Sequence, residues 1–217
     1  MPRRPKTSRE EVLATALQLV DERGLDALSM RKLADEVGVE AMSLYRHVPN
    51  KTAILDGVHE AVLKKMDVPQ RTGHWRADTK ALANSFRRVL AAHPNTLPLF
   101  ISRPAVTPGS LHYVELGLEI LEGPVPDLKD RIHAFQAIFA FVLGHASLIY
   151  AAHPSSNTPV DYASLPGDRF PNLSKARFSL SKSSSYDDFE FGIDALLRGL
   201  ESFDDRATGR GIDRPSA

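Results

Sequence analysis

Apolar residues recur at intervals of three and four along nearly the whole chain, and no alternating stretch of useful length interrupts them, so an all-α fold is predicted. Val12, Leu13, Ala16, Leu17, Leu19 and Val20 hold one helical face. Overlapping capping boxes, Thr7 with Glu10 and Ser8 with Glu11, precede it, and Gly24 supplies a stop. Ser29 caps a short helix over Met30–Val37 that ends at Gly38; a third spans about Glu40–His47 before Pro49 breaks it. Asn50 caps a fourth, from Lys51 to about Met66, with Ile54, Leu55, Val58, Val62 and Met66 inward. Residues 67–74 form a connector between packed helices. A second region opens at Trp75 with a helix to about His93 carrying Leu82, Phe86, Val89 and Leu90. Pro94, Pro98, Pro104 and Pro108 restrict the next stretch to short turns. Thr107 and Pro108 then start a helix that halts near Gly123-Pro124.

Two seams follow. Leu128, Ile132, Phe135, Phe139, Val142, Ala146 and Ile149 are separated by gaps of 4, 3, 4, 3, 4 and 3, the spacing by which helices pack on helices. Residues 134–152 carry no fixed charge and approach the roughly 20 residues of a membrane span. Lipid rewards an evenly apolar cylinder and needs no seam, so a buried bundle helix is the first reading and a membrane span the second. Phe189, Ile193, Leu196, Leu200 and Phe203 repeat the pattern on a last helix opened by Ser185–Asp188. Between the seams, residues 153–184 are rich in Pro, Ser and Asn and read as a long mobile loop with a short helix through Phe170, Leu173 and Phe178. Residues 204–217 read as a frayed tail.

Composition narrows the chemistry. The 217 residues contain 27 Lys+Arg and 27 Asp+Glu, so no whole-protein field draws the chain to polyanions or anionic membranes, and any nucleic-acid site must be local. The absence of cysteine excludes a disulfide framework, a thiolate metal site and a cysteine nucleophile. Met1–Lys6 leads into a helix start instead of an apolar core, and a cytoplasmic location is expected. An enzyme finds no support: His59-Glu60 opens like a zinc-protease motif, but Leu63 stands where its second histidine is required, and no nucleophile elbow, phosphate loop or dinucleotide fingerprint exists. No metal or cofactor is implied.

Three short helices within fifty residues, the second and third joined through Gly38, match a helix-turn-helix, a compact tripod that offers one helix to a DNA major groove. Leu33, Ala34, Val37, Val39 and Leu44 have the spacing to lock the second helix on the third. Ala41, Met42, Ser43, Tyr45, Arg46 and His47 are left on the exposed side. Residues 12–66, above all Leu28-Ser-Met-Arg-Lys-Leu-Ala-Asp-Glu-Val-Gly-Val39 and Ser43-Leu-Tyr-Arg-His-Val-Pro-Asn-Lys51, resemble the DNA-binding domain of the tetracycline-repressor (TetR) family. Trp75, Ser85-Phe-Arg87, Arg103-Pro104, Leu143-Gly144, Phe189-Glu-Phe-Gly192 and Gly199-Leu-Glu201 are similar to the ligand and dimerisation domain of the tetracycline-repressor branch.

The resemblance implies a DNA-binding domain at 1–66 with an arm at 1–7, a connector at 67–74 and a ligand-binding and dimerisation domain at 75–203. It implies a homodimeric repressor released from a palindromic operator by a small molecule, with an activator or a ligand-independent DNA binder of the same fold as the alternative. Arg31 would reach a base edge, Ala41 and Met42 would offer apolar contact, and Ser43, Tyr45, His47 and Lys51 would hold phosphates. Arg46 replaces an aromatic residue common in the family, which leaves its role open. Tyr45 is also readable as a wedge between helices, and His47 as a helix-terminal cation. Arg3, Arg4, Lys6 and Arg9 read equally as a phosphate-touching arm or a solubilising tail. Residues 1–51 hold nine Lys/Arg against eight Asp/Glu, so DNA affinity must come from placement and from two copies.

Pairing both seams with their copies would make a four-helix dimer interface through Leu128, Ile132, Phe135, Val142, Phe189, Ile193, Leu196 and Leu200, the alternative being intrachain core. A pocket is expected among Leu82, Phe86, Leu90, Phe100, Tyr113, Phe139 and His145. Arg103, His112 and His145 are its candidate polar anchors or, equally, satisfied structural groups. The family's magnesium–tetracycline ligands fall at Leu99 and Leu148 and its drug-gripping amide at Leu82, which implies no such metal site and a largely hydrophobic effector.

Overall fold

The computed structural model describes residues 7–150, 164–180 and 185–207, all of whose regular elements are helices. Residues 1–6 of the expected arm, residues 153–163 and 181–184 of the expected loop, and residues 208–217 lie outside the described residues. Side-chain capping sets the N-terminal helices. Ser8 Oγ accepts from the Glu11 N–H at 3.1 Å while the Glu11 carboxylate accepts from the Ser8 N–H at 2.9 Å, which opens α1 (Arg9–Arg23). Ser29 caps α2 (Met30–Val37) through the Lys32 N–H, and Asn50 caps α4 (Lys51–Leu63) through the Ala53 N–H. Between α2 and α3 (Ala41–Leu44), Gly38 takes φ 72° and ψ 39°, left-handed backbone that a side chain would strain. The third helix is thus shorter than the expected 40–47. After Leu44 the Arg46 and His47 N–H groups bond three residues back, to the Ser43 and Leu44 carbonyls, and the chain tightens into a turn ahead of Pro49. Val12, Val20, Leu28, Leu33, Leu44, Ile54, Val58 and Val62, each fully buried, form the core that binds these four helices.

The second region comprises α5 (Trp75–Ala92), α6 (Leu97–Ser102), α7 (Pro108–Ile120), α8 (Leu128–Tyr150), α9 (Pro171–Leu180) and α10 (Ser185–Ala207). Helix α9 occupies part of the stretch expected as loop, and α10 runs past the expected frayed boundary at 204. Thr107 and Ser110 exchange backbone and side-chain hydrogen bonds in a capping box that starts α7, with Pro108 at its first position. Helix α8 is long and apolar enough to cross a membrane by length and composition. Its Ala134, Ile138, Val142, Leu143 and Ala146 are nevertheless buried in the chain, against α5, α6, α7 and α10, so it is a bundle helix. Helices α5 and α10 are further joined by Lys80 to Glu190 at 2.9 Å and to Asp194 at 3.0 Å, and by Arg76 to Glu201.

The residues expected at a dimer surface are divided within this one chain. Phe135 and Val142 face a cavity inside the subunit, and Phe189 and Ile193 are fully buried within the chain, where Phe189 stacks on Phe141 at 5.4 Å. Leu196 and Leu200 are half-buried; Leu128 and Ile132 remain exposed. A second face of these helices points out instead: Ala137, Ala140, Gly144 and Leu148 on α8, and Phe191 and Ala195 on α10. Leu148 and Phe191 are 76% and 78% exposed.

The connector is tied to the start of α5. The buried Asp78 carboxylate accepts from the Thr72 N–H (2.9 Å), the Thr72 hydroxyl (2.7 Å) and the Gly73 N–H (3.2 Å). Burial pushes its pKa up, but these bonds outweigh that and hold the carboxyl below its ordinary range. Asp78→Ala strands three donors and is expected to lower unfolding free energy by about 2 kcal/mol in urea titrations at pH 7.

Candidate functional site

The tripod displays its short helix. Leu44, the one buried residue of α3, anchors it, while Ala41 and Met42 stand exposed at its N-terminus, Met42 at 75%. Arg31, second residue of α2, is exposed on the neighbouring helix, and so is Arg46 in the turn after α3. Ser43 and His47 are half-buried and Tyr45 exposed. Lys51 opens α4, whose first N–H groups carry the positive end of a helix dipole. Of the expected set, Met42, Ser43 and Arg46 border one shallow surface depression.

A cavity of about 450 Å³ lies beneath α4, walled by α4, α5, α6, α7 and α8. Leu82, Phe86, Phe100, Arg103, Tyr113 and Phe139 line it as expected. Three expected residues do not. Leu90 is fully buried in the core behind the wall. His112 precedes Tyr113 on α7, so it points outward where Tyr113 points in, and it is exposed. His145 sits between α8 and α10, its ring 5.2 Å from Phe189 and 6.1 Å from Phe141. Burial lowers its pKa, against an opposing pull from the Ser185 backbone. Leu99 and Leu148 are also absent from the cavity lining.

Sequence reasoning missed His59 and Leu63, which enter the cavity from α4, and Met66 from the turn just past it, together with Thr79 and Gln136. The signal for His59 was its apolar surroundings at helical spacing, Leu55, Val58, Val62 and Leu63. Its ring packs on Phe100 with centroids 4.2 Å apart. Burial lowers its pKa to about 4; Asp56 pulls it up and Arg103 pushes it down, so it is neutral at pH 7.

Three contacts join α4 to the cavity wall. Arg103, just past α6, donates from Nε (3.1 Å) and Nη2 (2.6 Å) to Asp56 Oδ1 on α4. His59 packs on Phe100 of α6. Glu60 lies so close to Gly109 of α7 that a Cβ there would meet its carboxylate at 2.4 Å. These contacts tie α6 and the start of α7 to the helix that Lys51 opens.

Comparisons with known proteins agree with this division. The family "Bacterial regulatory proteins, tetR family" matches residues 12–58, and "Tetracyclin repressor-like, C-terminal domain" matches residues 68–203. DrrR1, an HTH-type transcriptional repressor of Streptomyces coeruleorubidus, is 30% identical over 212 residues, 91% of this chain and 78% of its own. The class D tetracycline repressor of Escherichia coli is 30% identical over 202 residues, 90% of each chain. Apo ActR from Streptomyces coelicolor superposes with a TM-score of 0.80 at 29% identity, covering 94% of this chain and 100% of that one; its complex with actinorhodin gives 0.78, over 91% and 98%. The match to a helix-turn-helix model over residues 12–58 and to a C-terminal domain model over residues 68–203 establishes that the chain belongs to the TetR family of DNA-binding transcriptional regulators.

Proposed function

We propose that the protein is a homodimeric repressor that occupies a palindromic operator and leaves it when a small, largely apolar effector fills the cavity, acting on chromosomal DNA in the cytoplasm. One observation carries this reading: the inner face of α4, through His59 and Leu63, is itself part of the cavity wall. An occupant that displaces α6 or α7 moves α4 through the Arg103–Asp56 and Phe100–His59 contacts. Movement of α4 changes the separation of the two reading heads and with it the DNA-competent spacing. Arg31, Ala41 and Met42 read bases; Ser43, Tyr45, His47 and Lys51 hold phosphates, with Arg46 beside them. The outward stripe of Ala137, Ala140, Gly144 and Leu148 beside Phe191 and Ala195 supplies the apolar face for the second copy. Arg9 and the basic arm before it reach phosphates next to the tripod.

Sequencing the chromosomal DNA that the purified protein retains tests the reading. The expected result is an inverted repeat with half-site centres about 34–36 Å apart, or a multiple of that, bound by two chains. Small-molecule fractions of the source cells should contain one that dissolves the complex. Recovery of fragments without a common site, or one chain per site, overturns it.

A further inference from the structure

Among the residues lining the cavity, Arg103 is the single fixed charge, and no carboxylate joins it. The rest of the wall is built around aromatic rings. Phe86 and Phe139 lie 5.5 Å apart and 17° from parallel, and Phe135 continues the row 6.3 Å from Phe139 at 20°. Such a row offers a slab against which a flat ring system stacks.

The Arg103–Asp56 pair is built for exchange. Both guanidinium bonds converge on the single oxygen Oδ1, whereas the strongest arginine–carboxylate pairing is a planar fork with two parallel bonds to two oxygens. Asp56 and Arg103 are also partly exposed, with 18% and 27% of their side chains accessible, so a released Asp56 can be taken up by water.

We propose that the effector is a flat aromatic molecule bearing a carboxylate or like anion, and that it binds by taking Arg103 from Asp56. The inference rests on the cavity being the effector site. It names the chemistry of the ligand and the strut that ligand removes: with Arg103 turned to the ligand's acid, α4 loses its ionic tie to the end of α6. His59, uncharged at neutral pH, does not compete for the anion.

The test uses N-phenyl-1-naphthylamine, a neutral fluorophore, as cavity reporter, with 2-naphthoate and its uncharged isostere 2-naphthamide as competitors. Naphthoate should displace the reporter at least about tenfold more effectively than naphthamide, the scale of a hydrogen-bonded charge pair. Arg103→Gln should abolish that preference while the reporter still binds, and Arg103→Lys, which keeps the charge and loses the fork, should retain part of it. Asp56→Asn should act in the opposite direction and tighten naphthoate about threefold or more, since the internal competitor is gone. A merely structural ion pair would make both partners' variants weaken binding alike. Equal displacement by the two competitors, or loss of naphthoate binding in Asp56→Asn, overturns the proposal while leaving the cavity as effector site. Failure of the reporter to enter the cavity overturns both. Melting curves by circular dichroism establish that each variant is folded.

Discussion

Leu44→Ala is expected to cost about 3–4 kcal/mol of stability in the DNA-reading region and to abolish operator binding at 37 °C. Helix α3 has four residues, and Leu44 is its one buried side chain, with no exposed surface. A helix of that length has no stability of its own, since nucleation alone outweighs its few hydrogen bonds. Its position is therefore set by Leu44 against Leu33 and Ala34 of α2 and by the turn at Gly38. Truncation removes the buried methyl groups and leaves a cavity that the short helix can close only by shifting, which carries Ala41, Met42 and Ser43 off register with the groove. Met42→Ala provides the contrast. Met42 is 75% exposed, so its truncation should leave stability within about 0.5 kcal/mol and alter only DNA affinity and sequence preference. Urea titration followed by tryptophan-independent circular dichroism, paired with operator titration, separates the two. Unchanged stability in Leu44→Ala would mean that α3 is not anchored as described.

The contrast also marks what could be read along the chain. Ser8, Ser29, Asn50 and Thr107 cap helices where local spacing placed them, because a cap is decided within four residues. Gly38 was legible for the same reason: the left-handed turn is a property of one position. The end of α3 was not, since a helical periodicity does not tell a regular turn from one tightened by three-residue hydrogen bonds. The seams of α8 and α10 were legible only in part. Spacing established that each helix has an apolar face, but α8 has two. Nothing local says that Phe135 and Val142 meet their own chain while Ala140 and Leu148 look outward. For the cavity, rings on α5, α6 and α8 were found from type and spacing. His145 falls outside the cavity because it stands two turns beyond Ile138 on nearly the same face of α8, where that face meets α10. His59 was missed because its helix had been given wholly to DNA.

His59 should make the protein's stability fall by about 3 kcal/mol as pH is lowered from 7 to 4, and His59→Leu should remove that component. The ring is 5% exposed, and burial is the main cause of a pKa near 4 in the folded chain, against 6.5 when the chain is unfolded. Between those values the unfolded chain takes up a proton that the folded chain refuses, so the equilibrium shifts toward unfolding as pH falls. The span from 6.5 to about 4, at about 1.36 kcal/mol per pH unit, gives the stated size, and the effect levels off below the folded value. Its window separates it from the carboxylates. Asp78 has a depressed pKa when folded, and the stability it contributes is present above the unfolded carboxylate value near 4 and lost only below it. Urea titrations at pH 7.0, 6.0, 5.0 and 4.5 should thus show a much steeper slope in the wild type than in His59→Leu, whose remaining slope includes that of His145, also lowered by burial. Parallel slopes would mean that the buried ring is not what refuses the proton. A neutral His59 also fits its position between Asp56 and Phe100. It can give or accept a hydrogen bond in the cavity without adding a second positive charge beside Arg103, so acidification should loosen α4 at the same wall on which an occupant acts.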